Sequence, residues 1–379
     1  MRIGIFTLPL HTNYGGIIQA YALQTMLERM GHEVMVINTK PKLLKFALPR
    51  WKKPLAYGKR LLVKALIDHN EVINKEELRT REYPLTLRYT NEFIARYIHS
   101  YYVKTVADIR PDDFDAIVVG SDQIWSPLNI HNVWYSDDFS LGFLSFAADW
   151  NIKRYGYAIS FGVDNWTFPL EHTSEYASLA KKFLAVSVRE DSGVDLCKKY
   201  LGIDALHLLD PTMLLSTVEY SKLVDSSHTS KSEGDMFCYI LDSRKDKTAL
   251  IERIAKERDL KPFYVKSKTF RESRSIEERL VPPVEKWLCA FMDAKFVVTD
   301  SFHGMAFSIN FGKPFIAIGN QGRGLARMSS IARMFGVEDH LLIDTADYDP
   351  DKSYDVAPET RNILEEQRQK SRDFLSQIK

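Results

Sequence analysis

Short apolar, strand-like runs alternate with longer segments whose apolar positions recur at helical spacing. The short runs of the first half are Arg2–Thr7, Glu33–Asn38, Ala116–Gly120, Tyr155–Ser160, Phe183–Val188 and Leu206–Leu209. Those of the second half are Met236–Leu241, Pro262–Val265, Lys295–Thr299, Pro314–Ile318 and His340–Ile343. Strands that alternate with helices predict βαβ units and parallel sheets. The stretch Ser216–Asp235 is polar, rich in serine and short of apolar residues, which predicts a linker between two α/β units. The expected division is a first Rossmann-like domain over 1–218, a linker over 219–234, a second Rossmann-like domain over 235–350, and a terminal segment over 351–379. In that last segment Ile363, Leu364, Phe374, Leu375 and Ile378 form a helical stripe that would pack back across the first domain. Two such domains enclose a cleft between the carboxyl edges of their sheets.

Composition changes this picture little. A length of 379 residues suits two domains, and 45% hydrophobic with 27% charged residues is ordinary for a globular chain. A net charge of +1 gives no global signal for nucleic acid. Cys197, Cys238 and Cys289 are odd in number and widely spaced, which speaks for reduced thiols and against a disulfide framework or a zinc site. The opening Met1–Leu10 reads as a first strand rather than a signal peptide, so the expected location is cytoplasmic. One region departs from the even charge pattern. Lys42–Lys64 holds eight Lys or Arg residues and no acid, interleaved with Leu43, Leu44, Phe46, Trp51, Tyr57, Leu61 and Leu62. That mixture suits an anionic membrane surface, at the inner face of a cell membrane, or else a solvated insertion. Pro49, Pro54 and Gly58 predict that no single helix crosses it.

The chemistry gathers at strand ends. In Phe296-Val-Val-Thr-Asp-Ser-Phe-His-Gly304 a buried strand turns into a helix, with Ser301 at the N-cap position and His303 in the first turn. Gly304 is expected to let a ligand approach the backbone, and helix amides beside an imidazole suit an anion. Asn13-Tyr14-Gly15-Gly16 follows the first strand and opens a helix, without the dinucleotide fingerprint or the P-loop lysine. Ser121, Asp122 and Gln123 leave the strand that ends at Gly120. Asp122 suits a sugar diol, and Trp125 is either a platform for a sugar ring or a core residue. Arg189 and Glu190 follow another strand, where Arg189 either grips a carboxylate or phosphate or pairs with a neighbouring acid. Tyr157–Gly162 and Leu209-Asp-Pro211 are further strand ends, and the loop Gly319–Arg327, with Asn320, Arg323 and Arg327, suits a phosphorylated ligand. Polar residues at so many ends of one edge predict a binding site there.

Taken in order, Asn13–Gln24, Gly120–Trp125, Tyr157–Gly162, Ser187–Glu190, Leu209–Pro211 and Thr299–Gly304 resemble the polysaccharide pyruvyl transferase family. The resemblance implies a glycosyltransferase-B-like architecture and transfer of pyruvate from phosphoenolpyruvate to a sugar diol as a cyclic ketal, with no metal or further cofactor. It implies a catalytic role for His303 and donor binding by Arg189, Ser301, Gly304, Asn320, Arg323 and Arg327. The acceptor, a sugar or a nucleotide- or lipid-linked oligosaccharide of a cell-surface polysaccharide, falls to Asn13, Tyr14, Gly15, Gly16, Ser121, Asp122 and Gln123. Characterised branches carry an arginine where this chain has Ser301, so another cation such as Arg323 or Arg327 must supply that charge, or the donor differs. Two other functions fit the same elements: a glycosyltransferase that uses a nucleotide sugar, and a glycan-binding protein without catalysis.

Overall fold

The alternation resolves into two parallel sheets. The structure, a computed structural model, describes residues 1–39, 50–134, 136–227, 229–269, 271, 273–319 and 324–379. The first sheet contains β1 (Arg2–Phe6), β2 (Glu33–Thr39), β3 (Ser100–Val103), β4 (Ala116–Val119), β5 (Lys153–Ile159), β6 (Ala185–Val188) and β7 (Leu206–His207). The second contains β8 (Met236–Tyr239), β9 (Pro262–Phe263), β10 (Phe296–Thr299), β11 (Phe315–Ile318) and β12 (Leu341–Leu342). Every expected run holds a strand. β3 is the addition, an edge strand of which only Val103 is buried.

Strand order explains where a ligand goes. The first sheet runs β3-β2-β1-β4-β5-β6-β7, so the chain reverses its direction of winding between β1 and β4. The second runs β12-β11-β10-β8-β9 and reverses between β8 and β10. In doubly wound sheets the connecting helices diverge at such a point and leave a crevice beyond the carboxyl ends. Asn13 and Asp122 leave the first crevice; Leu241 and Ser301 leave the second. Two facing α/β domains with the site between their edges agree with the fold class expected from the sequence.

The domains are joined by more than a tether. Part of the serine-rich stretch forms a helix, Thr217–Ser226, opened by a capping box between Ser216 and Glu219. Its Tyr220, Leu223 and Val224 are buried in a core that continues through residues of both domains. Polarity there reflects the helix's outer face, not a loose connection. The helix Pro358–Leu375 returns to the first domain. Arg368 donates from Nε to the Met213 carbonyl at 2.8 Å and from Nη2 to the Leu215 carbonyl at 3.0 Å, and the Phe374 ring lies 6.0 Å from that of Tyr157. At the rim, Arg333 pairs with Asp191 at 2.6 Å, and the Asp191 amide donates to Ser330 Oγ at 2.9 Å.

The basic region departs from expectation. Residues 40–49, including Pro49, lie outside the described residues, but Lys53–Leu66 is one helix. Pro54 occupies its first turn, where the missing N–H would have no intrahelical partner, and Gly58 does not interrupt it.

Candidate functional site

A cavity of about 380 Å³ lies between the two switch points. Thr12, Asn13, Asp122 and Gln123 form one wall. Tyr239, Leu241, Asp300, Ser301, Phe302, His303, Gly324, Arg327 and Met328 form the other. That volume is within the usual range of ligand-binding clefts.

Each wall is fixed by its own strand exits. β10 and β8 pair with Thr299 opposite Tyr239, so the two segments leave the sheet together. Thr299 Oγ1 donates to the Tyr239 carbonyl at 2.9 Å and accepts from the Ser301 amide at 3.1 Å. Asp300 accepts from the amides of Leu241 and Asp242 at 2.7 and 3.1 Å, and its charge is met by buried Lys247 at 2.5 Å. This frame aims the first turn of the helix Phe302–Phe311, and His303 in it, at the first domain. Ser301 stands at the N-cap position without a side-chain capping bond, so its hydroxyl is available to the cavity it lines.

The opposite wall explains the paired glycines. A Cβ on Gly15 would lie 2.1 Å from His303 Nδ1, so the imidazole packs directly on that backbone. A Cβ on Gly16 would lie 3.1 Å from Asn13 Nδ2 and 3.2 Å from Asp122 Oδ2, which brings those polar atoms to one place. Gln19 braces the wall. Its Nε2 donates to Thr7 Oγ1 at 3.0 Å and to the Gly16 carbonyl at 3.1 Å, and its Oε1 accepts from the Ser121 amide at 3.3 Å.

Asp210 is the buried hub behind the site. Its Oδ2 accepts from Arg189 Nη1 at 2.7 Å and from Ser121 Oγ at 2.8 Å, and lies 3.8 Å from His303 Nε2. Its Oδ1 accepts from the amide and hydroxyl of Thr212 at 2.9 and 2.7 Å. Burial alone would raise its pKa, but Arg189, His303 and the Thr212 bond outweigh burial and hold it below the ordinary carboxylate value. Glu190 shows the reverse. Burial raises its pKa against the opposing pull of Arg189 and the Gly162 amide, and its Oε1 accepts from Ser160 Oγ at 3.0 Å and from that amide at 2.8 Å. A bulge in β5, with Ala158 at φ 47°, turns these donors toward it.

Two guanidiniums flank Phe302, that of Arg189 at 4.6 Å and that of Arg327 at 5.8 Å from the ring centroid. Nε and Nη2 of Arg189, Nε of Arg327 and Nε2 of His303 are buried without a hydrogen-bond partner among the described residues. Burial pushes the His303 pKa down to about 4; Asp210 and Asp122 oppose this, Arg189 and Arg327 reinforce it. His303 is therefore a neutral imidazole near neutral pH. An unfolded histidine titrates near 6.5, so as pH falls from there toward about 4 the unfolded chain takes up the proton first. Stability present above this window is lost through it, by about 3 kcal/mol for this one group. Thermal melts should show a shallower decline over that range for His303→Gln than for the wild type; parallel declines would contradict the burial argument.

Several expected site residues serve other purposes. Tyr14 turns toward the second domain, stacks on Trp287 at 5.6 Å and donates to the Pro282 carbonyl at 2.8 Å. Gly15 and Gly16 make room for side chains, Ser121 is committed to Asp210, and none of these lines the cavity. Gly304 faces Thr299, whose Oγ1 would lie 2.0 Å from an added Cβ, rather than a ligand. Arg189 lies behind Phe302 and acts on the cavity through its charge. Trp125 is a core residue: it is fully buried, stacks on Phe143 at 4.8 Å and donates to the Gly142 carbonyl at 2.8 Å. Asn320 and Arg323 lie outside the described residues. Asn13, Asp122, Gln123, Ser301, His303 and Arg327 do meet in one cavity. Gln19 and Asp210 were missed as site residues, although both lie in the motifs that carried the resemblance. Among the described residues no group of three His, Cys, Asp or Glu side chains is arranged to hold a metal ion.

The UDP-GlcNAc 2-epimerase from Neisseria meningitidis bound to UDP-GlcNAc superimposes with a TM-score of 0.45 at 11% identity, over 100% of this chain and 94% of that one. The enzyme of the same name from Methanocaldococcus jannaschii, in complex with UDP-GlcNAc and UDP, gives 0.45 at 11% identity over 100% and 94%. A glycosyltransferase of Streptomyces sp. SF2575 gives 0.41 at 13% identity over 100% and 99%. No curated protein matches the chain by sequence. The model of the family described as polysaccharide pyruvyl transferase matches residues 13–322, a span that begins at Asn13 and takes in the wall of Asp122, the hub of Asp210 and the helix of His303. The chain therefore belongs to the polysaccharide pyruvyl transferase family of transferases.

Proposed function

We propose that the protein moves the pyruvyl group of phosphoenolpyruvate onto two hydroxyls of a sugar, making a cyclic ketal of a cell-surface polysaccharide precursor and releasing phosphate. The observation that carries this reading is the meeting of His303, Ser301 and Arg327 on one wall with Asn13, Asp122 and Gln123 on the other. A cationic wall with a helix N-terminus suits the carboxylate and phosphate of the donor. A wall of carboxylate and amides suits a diol. Arg327 answers the need for a cation left by Ser301, with the Arg189 charge behind it.

The chemistry follows from the neutral imidazole. Arg189 and Arg327 help to hold His303 unprotonated, so an arriving trianion that offsets them raises its pKa and lets it take up a proton. The imidazolium gives that proton to the methylene carbon, leaving positive charge on the ester carbon and its oxygen. The first hydroxyl adds there and returns its proton to the imidazole. Phosphate leaves with the electrons of its carbon–oxygen bond and takes the proton from His303. The second hydroxyl closes the ketal, and Asp122 passes its proton to solvent, from which His303 is recharged.

Phosphate release from phosphoenolpyruvate across a panel of sugars, free or linked to nucleotide or lipid, tests the reading. Release should depend on acceptor, and Arg327→Gln should raise the KM for phosphoenolpyruvate by about 10- to 100-fold, the worth of a hydrogen bond to a charged group. Turnover of a nucleotide sugar with indifference to phosphoenolpyruvate would overturn it, as would glycan binding without any product.

A further inference from the structure

We infer that Trp51 and the helix Lys53–Leu66 form an interfacial element that docks the protein onto an anionic lipid bilayer. At 100° per residue, positions 51, 55, 62 and 66 fall on one face of a helix. Trp51, Leu55, Leu62 and Leu66 occupy them, with exposures of 77, 82, 63 and 78%. Contiguous apolar groups are seldom left in water without a partner.

The rotation of the helix is set by its other face. Tyr57 donates to Asn74 Oδ1 at 2.7 Å, and Arg60 donates to the Ile73 carbonyl at 2.7 Å and to Glu76 at 2.8 Å. These contacts hold the apolar stripe outward. Lys52 and Lys59 are exposed along one edge of it, whereas Lys53 and Lys64 fall on the anchored face, and no acid occurs between Arg50 and Ile67. Among the described residues no carboxylate pairs with Lys53, Lys59 or Lys64. An apolar ridge edged by lysines on one side complements an acyl boundary beneath anionic headgroups. No described helix is long and apolar enough to cross a membrane, so this one would lie in the plane of the interface.

The element is also tied to the cleft. The helix Lys75–Thr86, on which it leans, contacts the second domain through Glu82 and Arg279 at 2.5 Å and through the Thr86 carbonyl and the Val281 amide at 2.9 Å. The adjacent Pro282 carbonyl accepts from Tyr14, the neighbour of the Gly15 backbone on which His303 packs. Docking would hold the cleft at a fixed attitude to the lipid surface.

Flotation of the full chain with vesicles tests this without any turnover, so it stands or falls apart from the pyruvyl-transfer reading. The chain should float with phosphatidylcholine vesicles doped with phosphatidylglycerol, not with phosphatidylcholine alone, and less so at high salt. Leu62→Glu with Leu66→Glu, and separately Lys52→Glu with Lys59→Glu, should each lower partition about tenfold or more. All four side chains are exposed, so melting should be unchanged. Quenching by brominated lipid should fall in Trp51→Phe. Equal binding to neutral vesicles, or unchanged partition in both variants, would overturn the inference. So would a lipid-free dimer that the leucine variant dissolves, since a second copy would then cover the stripe.

Discussion

His303→Ala should lower acceptor-dependent phosphate release by roughly 10²- to 10⁴-fold, the range for a positioned general acid–base group. The imidazole is the titratable group on the second-domain wall that reaches toward the first domain, with Nε2 unpartnered and Nδ1 against Gly15. Arg189 and Arg327 survive this substitution, so phosphoenolpyruvate should still raise the melting temperature of the variant. Retained stabilisation with lost turnover would separate chemistry from binding. Activity within tenfold of wild type would remove His303 from the mechanism.

Asp210→Ala should be the most destabilising single change at the site. It strips a fully buried carboxylate from Arg189, Ser121 and Thr212 together, and leaves the Arg189 guanidinium buried without its counterion. Breaking a buried pair from one side costs about 3–5 kcal/mol, whereas removing both charges costs less. For a protein with domains of this size that is roughly 6–20 °C in Tm. The double variant Asp210→Leu with Arg189→Met should recover part of the loss while remaining inactive. Additive losses in calorimetry would show that the two residues are not coupled as the 2.7 Å contact requires.

The fold was legible because strands and helices carry different periods, and every short apolar run named from the sequence holds a strand. β3 escaped because Ser100-Tyr-Tyr-Val103 lies at a sheet edge with one buried residue, so it lacks an apolar face to signal it. The Ser216–Asp235 stretch misled for a related reason: a short helix with three buried residues in a serine-rich context resembles a loop. Strand ends revealed the edge of the site but not the direction of each side chain. Trp125 and Tyr14 are amphipathic enough for either fate, and a partner far along the chain decided each, Gly142 for one and Pro282 for the other. Asp210 became visible as a hub only when Arg189, Ser121 and His303 were brought to it by three separate strand exits. The switch points that face each other depend on strand order, which local pattern does not encode.

The most direct measurement is the reaction of ¹³C-labelled phosphoenolpyruvate with an accepted sugar in D₂O, followed by NMR. Protonation of the methylene carbon before ketal closure predicts inorganic phosphate and a pyruvate ketal whose methyl group carries one solvent deuterium. A product that keeps its vinyl protons, or a chain that leaves phosphoenolpyruvate intact across the whole acceptor panel, would contradict pyruvyl transfer at this cleft.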